Sequence, residues 1–499
     1  MSLHNRKSLE PWISDDVRYY EHQAEGVRYM AQRRSVLLAD DMGLGKSLQT
    51  LTTFAIDVKR GRSETMIVVC PASLKVNWIE ETEKFTKFPV SLLDGSPKKR
   101  KAQLADFAAD TGPRILVINY EQIKPHLRAL NEIHFDIAAF DEAHYMKNYK
   151  AARTKAAAAL ISRRSLLLTG SPLLNHVNEL WPLLDRISPG EWGGYWAFAR
   201  RFCVFGGFEG KQIIGVKNEK ELTARLQNVM LRRLKKDVLD LPEVQYIRKT
   251  IDLHERQRTI YRQVLSEMKL DTGGGDDPQD IDNVLTKFLR LKQICGTTAS
   301  VMEDGSDYSL KLDAAVEDAR QIVDNGERIV AFTQFRSVQE AYAKRLQGNG
   351  NIARGVPVYI LNGDVPSAPD GKDPKDPSKR WSRQEIVHQW ANADEPGVIV
   401  AMFQVAGVGL NMTAARYGQF LDKLFVPALN SQAVDRMHRI GADETHPVQI
   451  LEYITRDTVE ERVEKILSAK HKVFTKIIEK DPWSDKLLQS VLEEELKSP

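Results

Sequence analysis

Val36-Leu37-Leu38-Ala39-Asp40-Asp41-Met42-Gly43-Leu44-Gly45-Lys46-Ser47 is the stretch that decides how this chain reads. The apolar run 36–39 predicts a buried strand, and residues 48–58 predict a helix. Strand, glycine loop, Lys-Ser and helix together form the layout of a phosphate-binding loop. The glycines let backbone N–H groups turn inward around phosphate oxygens, and the helix N-terminus adds partial positive charge. In that layout Lys46 would reach the β- and γ-phosphates and Ser47 would hold Mg2+. The full pattern has a glycine where Asp40 stands. A strand-to-helix turn that happens to contain Gly-x-Gly-Lys is therefore the competing reading.

Downstream, the run 135–140 predicts a second buried strand, ending on Asp141-Glu142-Ala143-His144. Acidic residues at the carboxyl end of a strand sit where open α/β sheets bind ligands. Asp141 could hold Mg2+ through water, and Glu142 could orient and polarise an attacking water. The alternative is that both merely cap the next helix.

The 499 residues are 42% hydrophobic and 28% charged, an ordinary globular balance with length for more than one core. A net charge of +3 requires any nucleic-acid surface to be a local patch. Cys70, Cys203 and Cys295 are far apart and form no Cys-x-x-Cys pair, which argues against a zinc module or a disulfide framework. No apolar stretch is long enough to span a membrane, and residues 1–10 are polar. The expectation is a soluble intracellular protein, cytoplasmic or nucleoid-associated, working as a monomer without a membrane.

Strand-like and helix-like segments alternate through the first half, with strands expected at 66–69, 115–118 and 165–169 and a helix at 151–161. This pattern predicts a parallel sheet with helices on both faces. Aromatic residues cluster from 178 to 234, read as a helical protrusion with a small satellite core. The basic run Arg232-Arg233-Leu234-Lys235-Lys236 reads equally as a solvated linker face or a nucleic-acid contact. Helices are expected at 253–269 and 281–294, then strands again at 328–332, 357–361, 398–402 and 448–454. A loop rich in Pro, Asp and Lys occupies 366–379, and a long charged helix 458–479. The predicted organisation is a first α/β lobe over 1–240, a second over 241–480 with a helical insertion at about 253–310 and a C-terminal brace helix, and a polar tail over 481–499.

In the second lobe, Ala406-Gly407-Val408-Gly409-Leu410-Asn411 follows a strand. Residues 432–441 are expected to be helical, which would put Arg436 and Arg439 on one face. Two guanidiniums together suit a triphosphate, since Arg pairs with phosphate in fork geometry and stays charged. A surface helix with ordinary salt bridges is the alternative.

These segments, in order, resemble those of the Swi/Snf-type ATPases, a branch of the superfamily-two helicase-like proteins. The resemblance runs nearly end to end. Residues 20–27 resemble the Gln motif. Residues 40–47 resemble that family's own phosphate loop, in which Asp replaces the first glycine. Cys70-Pro71-Ala72-Ser73-Leu74 with Asn77-Trp78 resembles motif Ia, and Asp141-Glu142-Ala143-His144 resembles motif II, a DEAH box. Residues 168–175 resemble motif III, 231–238 the exit from lobe one, 332–335 motif IV, and the two second-lobe segments motifs V and VI. Phe425-Val426-Pro427 departs from the usual Trp-Asn-Pro, and Gly441-Ala442 from Gly-Gln.

The resemblance implies two tandem RecA-like lobes with an ATP cleft between them, and a DNA-dependent ATPase using ATP and Mg2+. It implies an ATP site of Gln23, Asp41, Met42, Gly43, Leu44, Gly45, Lys46, Ser47, Gly407 and Gly409, with Mg2+ at Ser47 and Asp141. Lys46, Glu142, Arg436 and Arg439 would be catalytic, and Thr169, Ser171 and Gln432 would couple the motifs. DNA contacts are expected at Pro71, Ser73, Lys75, Asn77, Trp78, Asn119, Tyr120, Gln334, Asn362 and Gln404. The implied activity is movement along double-stranded DNA, in repair, recombination or remodelling of forks and protein–DNA complexes. A strand-separating helicase, a motor subunit of a restriction or defence system, and an ATP-gated clamp are the alternatives.

Overall fold

The computed structural model describes residues 12–172, 176–206, 212–271, 278–299, 301–302, 305–348, 355–366, 381–406, 410–443 and 445–464. The chain divides into two compact units between Leu239 and Asp240. Gly407, Gly409, residues 173–175 of the motif III segment, the loop at 367–379, most of the brace helix and the tail at 481–499 lie outside the described residues.

The first unit is built on β1 (Val36–Leu38), β2 (Thr65–Cys70), β3 (Val90–Leu92), β4 (Arg114–Asn119), β5 (Phe135–Asp141) and β6 (Ser162–Leu168). The antiparallel hairpin β7 (Cys203–Gly206) and β8 (Gln212–Val216) stands apart, and β9 (Met230–Leu231) returns to the sheet. The seven-stranded order is β3-β4-β2-β5-β6-β1-β9, with every pairing parallel. Thr65-Met66-Ile67-Val68-Val69-Cys70 shows why these runs become central strands. Every residue is buried, so both faces are apolar and covered by helices. The stretch 178–234 is not wholly helical. It holds the hairpin and β9, and its aromatic residues Trp192, Phe198 and Phe202 belong to the main core of the unit and not to a satellite.

The second unit is a six-stranded, all-parallel sheet. Its strands are β10 (Gln245–Ile251), β11 (Ile329–Thr333), β12 (Val358–Leu361), β13 (Val398–Met402), β14 (Tyr417–Phe420) and β15 (Gln449–Thr455), in the order β10-β15-β14-β11-β13-β12. The insertion forms helices Glu255–Asp271 and Pro278–Gly296, closed over a core of Tyr261, Phe288, Leu291, Val459 and Val463. Phe425, the departure from the family's Trp, packs against Phe288 as a tilted ring pair, centroids 5.2 Å apart, and lies beneath the Lys292 ammonium at 4.5 Å. The helix expected over 432–441 ends early. It spans Pro427–Val434, and the chain then tightens into turns in which Arg436 N–H donates to Ala433 O. Arg436 and Arg439 therefore do not share a helix face.

Candidate active site

Parallel topology brings the carboxyl ends of β1, β6, β5 and β2 side by side, and the motifs of the first unit lie on that edge. The loop after β1 turns through Gly43 (φ +82°) and Gly45 (φ +74°), left-handed values that a side chain would strain. A Cβ on Gly45 would also lie 2.4 Å from Gln23 Nε2. The Leu44 carbonyl accepts from His22 Nε2 at 3.2 Å, Gln23 Nε2 at 3.4 Å and Gln49 Nε2 at 3.1 Å. Three side chains thus hold one loop carbonyl. Gln23 grips the loop itself, and its Oε1 accepts from Tyr20 N–H. Lys46 Nζ donates to Asp40 O at 2.8 Å and Asp41 O at 3.1 Å.

Asp40, standing where a glycine is usual, has a structural explanation. Its carboxylate is fully buried and takes a two-pronged contact from Arg233, Nη2 to Oδ2 at 2.5 Å and Nε to Oδ1 at 3.0 Å. Gln49 Nε2 donates to the same carboxylate, and Arg233 also donates to the His22 carbonyl. Next door, Arg232 donates to Ala39 O, Gly170 O and Asp41 Oδ1, while Asp41 Oδ2 accepts from Lys235 N–H at 3.0 Å. The basic run 232–236 is therefore neither a solvated face nor a free contact surface at its two arginines. They clamp the loop from the segment leading to the boundary between the units. Removing one partner of a buried pair leaves an uncompensated charge, which costs about 3–5 kcal/mol. Arg233→Ala should lower the stability of the first unit by roughly that amount, read as the shift of its urea transition, and Asp40→Ala/Arg233→Met should recover most of it. An Arg233→Ala chain as stable as the parent would overturn this account of Asp40.

Asp141 closes β5 and is held from three sides. Trp78 Nε1 donates to its Oδ2 at 2.8 Å, Glu142 N–H to its Oδ1 at 2.9 Å, and Tyr120 Oη to its carbonyl at 2.9 Å. Burial pushes the Asp141 carboxyl up, and the Glu142 charge pushes it the same way, against the Trp78 hydrogen bond and the Lys46 charge. A cation at this carboxylate would relieve both burial and repulsion. Glu142 is buried at φ +48°, a left-handed conformation uncommon outside glycine. His144 Nδ1 lies 3.2 Å from Glu142 Oε2 and 3.1 Å from Thr169 Oγ1, which also accepts from Ser171 N–H at 3.1 Å. Thr169 and Ser171 thus join the acidic pair through His144, and a Cβ on the intervening Gly170 would lie 2.6 Å from Met42 of the loop.

The expected DNA contacts divide. Trp78 and Tyr120 are fully buried and occupied with Asp141, so neither side chain is a surface contact. Both side chains instead hold the strand end at Asp141. Lys75 is buried and paired to Asp94 at 2.9 Å, and Asn119 Nδ2 donates to Glu121 at 2.8 Å. Pro71 is buried, while Ser73 and Asn77 are partly exposed. In the second unit Gln334 Nε2 donates to Asp422 at 2.8 Å, Asn362 Nδ2 donates to Gln339 at 3.3 Å, and Gln404 is exposed. Arg436 is buried, and its carbonyl accepts from Met412 N–H. Arg439 is half-buried, and its Nε has no hydrogen-bond partner among the described residues. Gln432 is buried, with its Nε2 unpartnered among the described residues.

No group of three or more His, Cys, Asp or Glu among the described residues could cage a metal. That suits Mg2+, which is held by one or two oxygen side chains, waters and substrate phosphates. The hydroxyl of Ser47 and the carboxylate of Asp141 are the hard oxygen donors such an ion takes. Among the described residues no helix is long and apolar enough to cross a membrane.

Loop, acidic pair and parallel sheet together define a nucleotide-binding α/β unit of the helicase-like kind. A profile of the SNF2-related domain family matches residues 22–299, and the chain belongs to that family. An uncharacterized ATP-dependent helicase of Mycoplasma pneumoniae is 28% identical over 92% of this chain and 42% of its own length. The DNA annealing helicase and endonuclease ZRANB3 of Mus musculus is 27% identical over 90% of this chain and 40% of its own. The chain thus spans about two fifths of these relatives. A solved SWI2/SNF2 ATPase core of Sulfolobus solfataricus, in complex with dsDNA, is 25% identical and aligns over 97% of this chain and 95% of its own, at a TM-score of 0.42.

Proposed function

We propose that this chain is a DNA-dependent ATPase that couples ATP hydrolysis to movement along double-stranded DNA. The observation that carries the reading is the convergence, on one sheet edge, of the clamped phosphate loop and the Asp141-Glu142 pair, in a chain of the SNF2-related family. Lys46 exchanges the loop carbonyls for phosphate oxygens, and loop N–H groups complete the cradle. Ser47 and Asp141 would hold Mg2+, which when bound would neutralise charge on the phosphates. Glu142 orients the attacking water, and Trp78 and Tyr120 fix the strand end that carries both acids. Arg436 and Arg439 serve the charge that develops on the transferred phosphoryl group. His144, Thr169 and Ser171 link the acidic pair to the segment after β6, a route by which hydrolysis alters the grip on the track. Gly407, Gly409 and Gln432 complete the ATP-responsive set. Ser73, Asn77 and Gln404, which keep some exposure, are the residues that meet the DNA backbone. The protein works as a monomer at the nucleoid, in repair or in remodelling of protein–DNA complexes.

Backbone contacts carry no sequence information and release counterions. ATPase should therefore rise with duplex DNA more than with single strands or RNA, little with sequence, and the rise should fall steeply with added salt. A third strand should be stripped from a triplex with ATP, while a forked duplex yields little single strand. Robust unwinding of the fork, or stimulation by single-stranded RNA alone, would move the reading to a strand-separating helicase.

A further inference from the structure

The first unit has a cavity of about 320 Å3 far from the chemistry just described. Arg34 precedes β1 and Arg163 and Arg164 open β6, so the cavity lies at the amino ends of these paired strands, whereas the phosphate loop follows the carboxyl end of β1. Its charged lining is Arg33, Arg34, Arg62, Arg163, Arg164 and Asp57, and no lysine takes part. Arg164 is 8% exposed and Asp57 1%. Arg164 donates to Asp57 Oδ2 and to Met30 O at 2.7 Å, yet among the described residues its buried Nε has no hydrogen-bond partner, nor has Asp57 Oδ1. Arg163 lies 3.5 Å from Asp136 and donates to Ser63 Oγ at 2.9 Å. Arg33 stacks over the Tyr29 ring at 3.7 Å.

Helices Glu21–Ala31 and Lys46–Lys59 both end here, and cations at helix C-termini are ordinary. That explains one or two arginines. It leaves five guanidiniums against the two carboxylates of Asp57 and Asp136, and it leaves a buried donor unused. The cluster is under electrostatic tension. Burial lowers the Arg164 guanidinium's hold on its proton, Asp57 opposes this, and Arg163 and Arg62 add repulsion. An anion relieves that tension, and planar guanidinium forks match phosphate oxygens. The volume is that of a small-ligand site. A duplex is too wide to enter it, but a strand end is not.

We propose that this cavity is a second anion site, taking a ligand with one or two phosphoryl groups, either free or at the end of a nucleic-acid strand. The test is calorimetric titration of pyrophosphate into the full chain carrying Lys46→Ala, so that the phosphate loop does not hold the probe. Adding Arg33→Ala/Arg62→Ala should weaken binding about tenfold or more, since each removes a charged hydrogen-bonding partner. Lys124→Ala/Arg128→Ala, an exposed pair on another helix, should leave it unchanged. If the double arginine variant fails to fold, Arg34→Glu at an exposed position reads the same effect. Pocket variants that also lose a preference for 5′-phosphorylated over 5′-hydroxyl duplex assign the strand end as ligand, and variants that keep equal duplex binding assign free phosphate. No pyrophosphate binding in the Lys46→Ala chain, equal affinity with and without the pocket arginines, or equal weakening by the control pair would each overturn the proposal.

Discussion

Glu142→Gln should bind ATP as the parent chain does and hydrolyse it about 10²–10⁴-fold more slowly, the range expected when a positioned acid–base group is removed. The substitution keeps the volume and one oxygen of a buried side chain, so packing around His144 survives. The hydrogen bond from the residue-142 N–H to Asp141 Oδ1 comes from the backbone and is untouched by the substitution. What it removes is the carboxylate that orients water. Lys46→Ala should show the opposite division. The lost ammonium weakens nucleotide binding itself, because it is a point charge on the phosphates. Nucleotide affinity by fluorescence titration, together with single-turnover hydrolysis, separates the two. If both variants gave the same affinity and the same residual rate, the division of roles would be wrong.

The groups tested there are legible in sequence because each is local. Gly43, Gly45, Lys46 and Ser47 lie within five residues, and a strand followed by Asp141-Glu142 needs no knowledge of the rest of the chain. The central strands are legible for the same reason, as mostly apolar runs with residues of both faces buried. What failed to show is non-local or polar. The Arg233–Asp40 pair joins residues 193 apart, and nothing local distinguishes its arginine from those of a solvated run. Trp78 carries no mark that its indole serves Asp141 and not a ligand. Strand β14, Tyr417-Gly418-Gln419-Phe420, lacks an apolar run, yet it is central. Gln419 is buried there because Tyr342, Tyr453 and Ala315 O satisfy its amide, and Gly418 because a Cβ would lie 2.7 Å from Ile450 Cδ1. Strand β10, Gln-Tyr-Ile-Arg-Lys-Thr-Ile, is an edge strand, largely exposed, and so keeps charges that disguise it. The sequence predicts one helix over 432–441, with the two arginines on one face, but the helix stops at Val434, and the arginines take their places from turns.

That early stop separates the two arginines and sharpens what each should do when removed. Arg436 is buried, and its backbone carbonyl anchors Met412, so it belongs to the packing of the second unit. Arg439 lies three residues further on and is half-buried. Arg439 is the more exposed of the two, so it is better placed to meet a substrate oxygen and is the better candidate for the transition-state role. Arg439→Ala should leave ATP affinity and thermal stability near those of the parent and lower kcat by about 10³-fold, as loss of an arginine finger does. Arg439→Lys should recover only part of the rate, because an ammonium restores charge without the planar fork. Arg436→Ala should lower both rate and melting temperature, since it also empties a packed position. Steady-state kinetics and a thermal melt on the three variants decide the matter. Parental turnover in Arg439→Ala, or a rate loss that follows a loss of folded protein, would remove Arg439 from the chemistry and return it to structure.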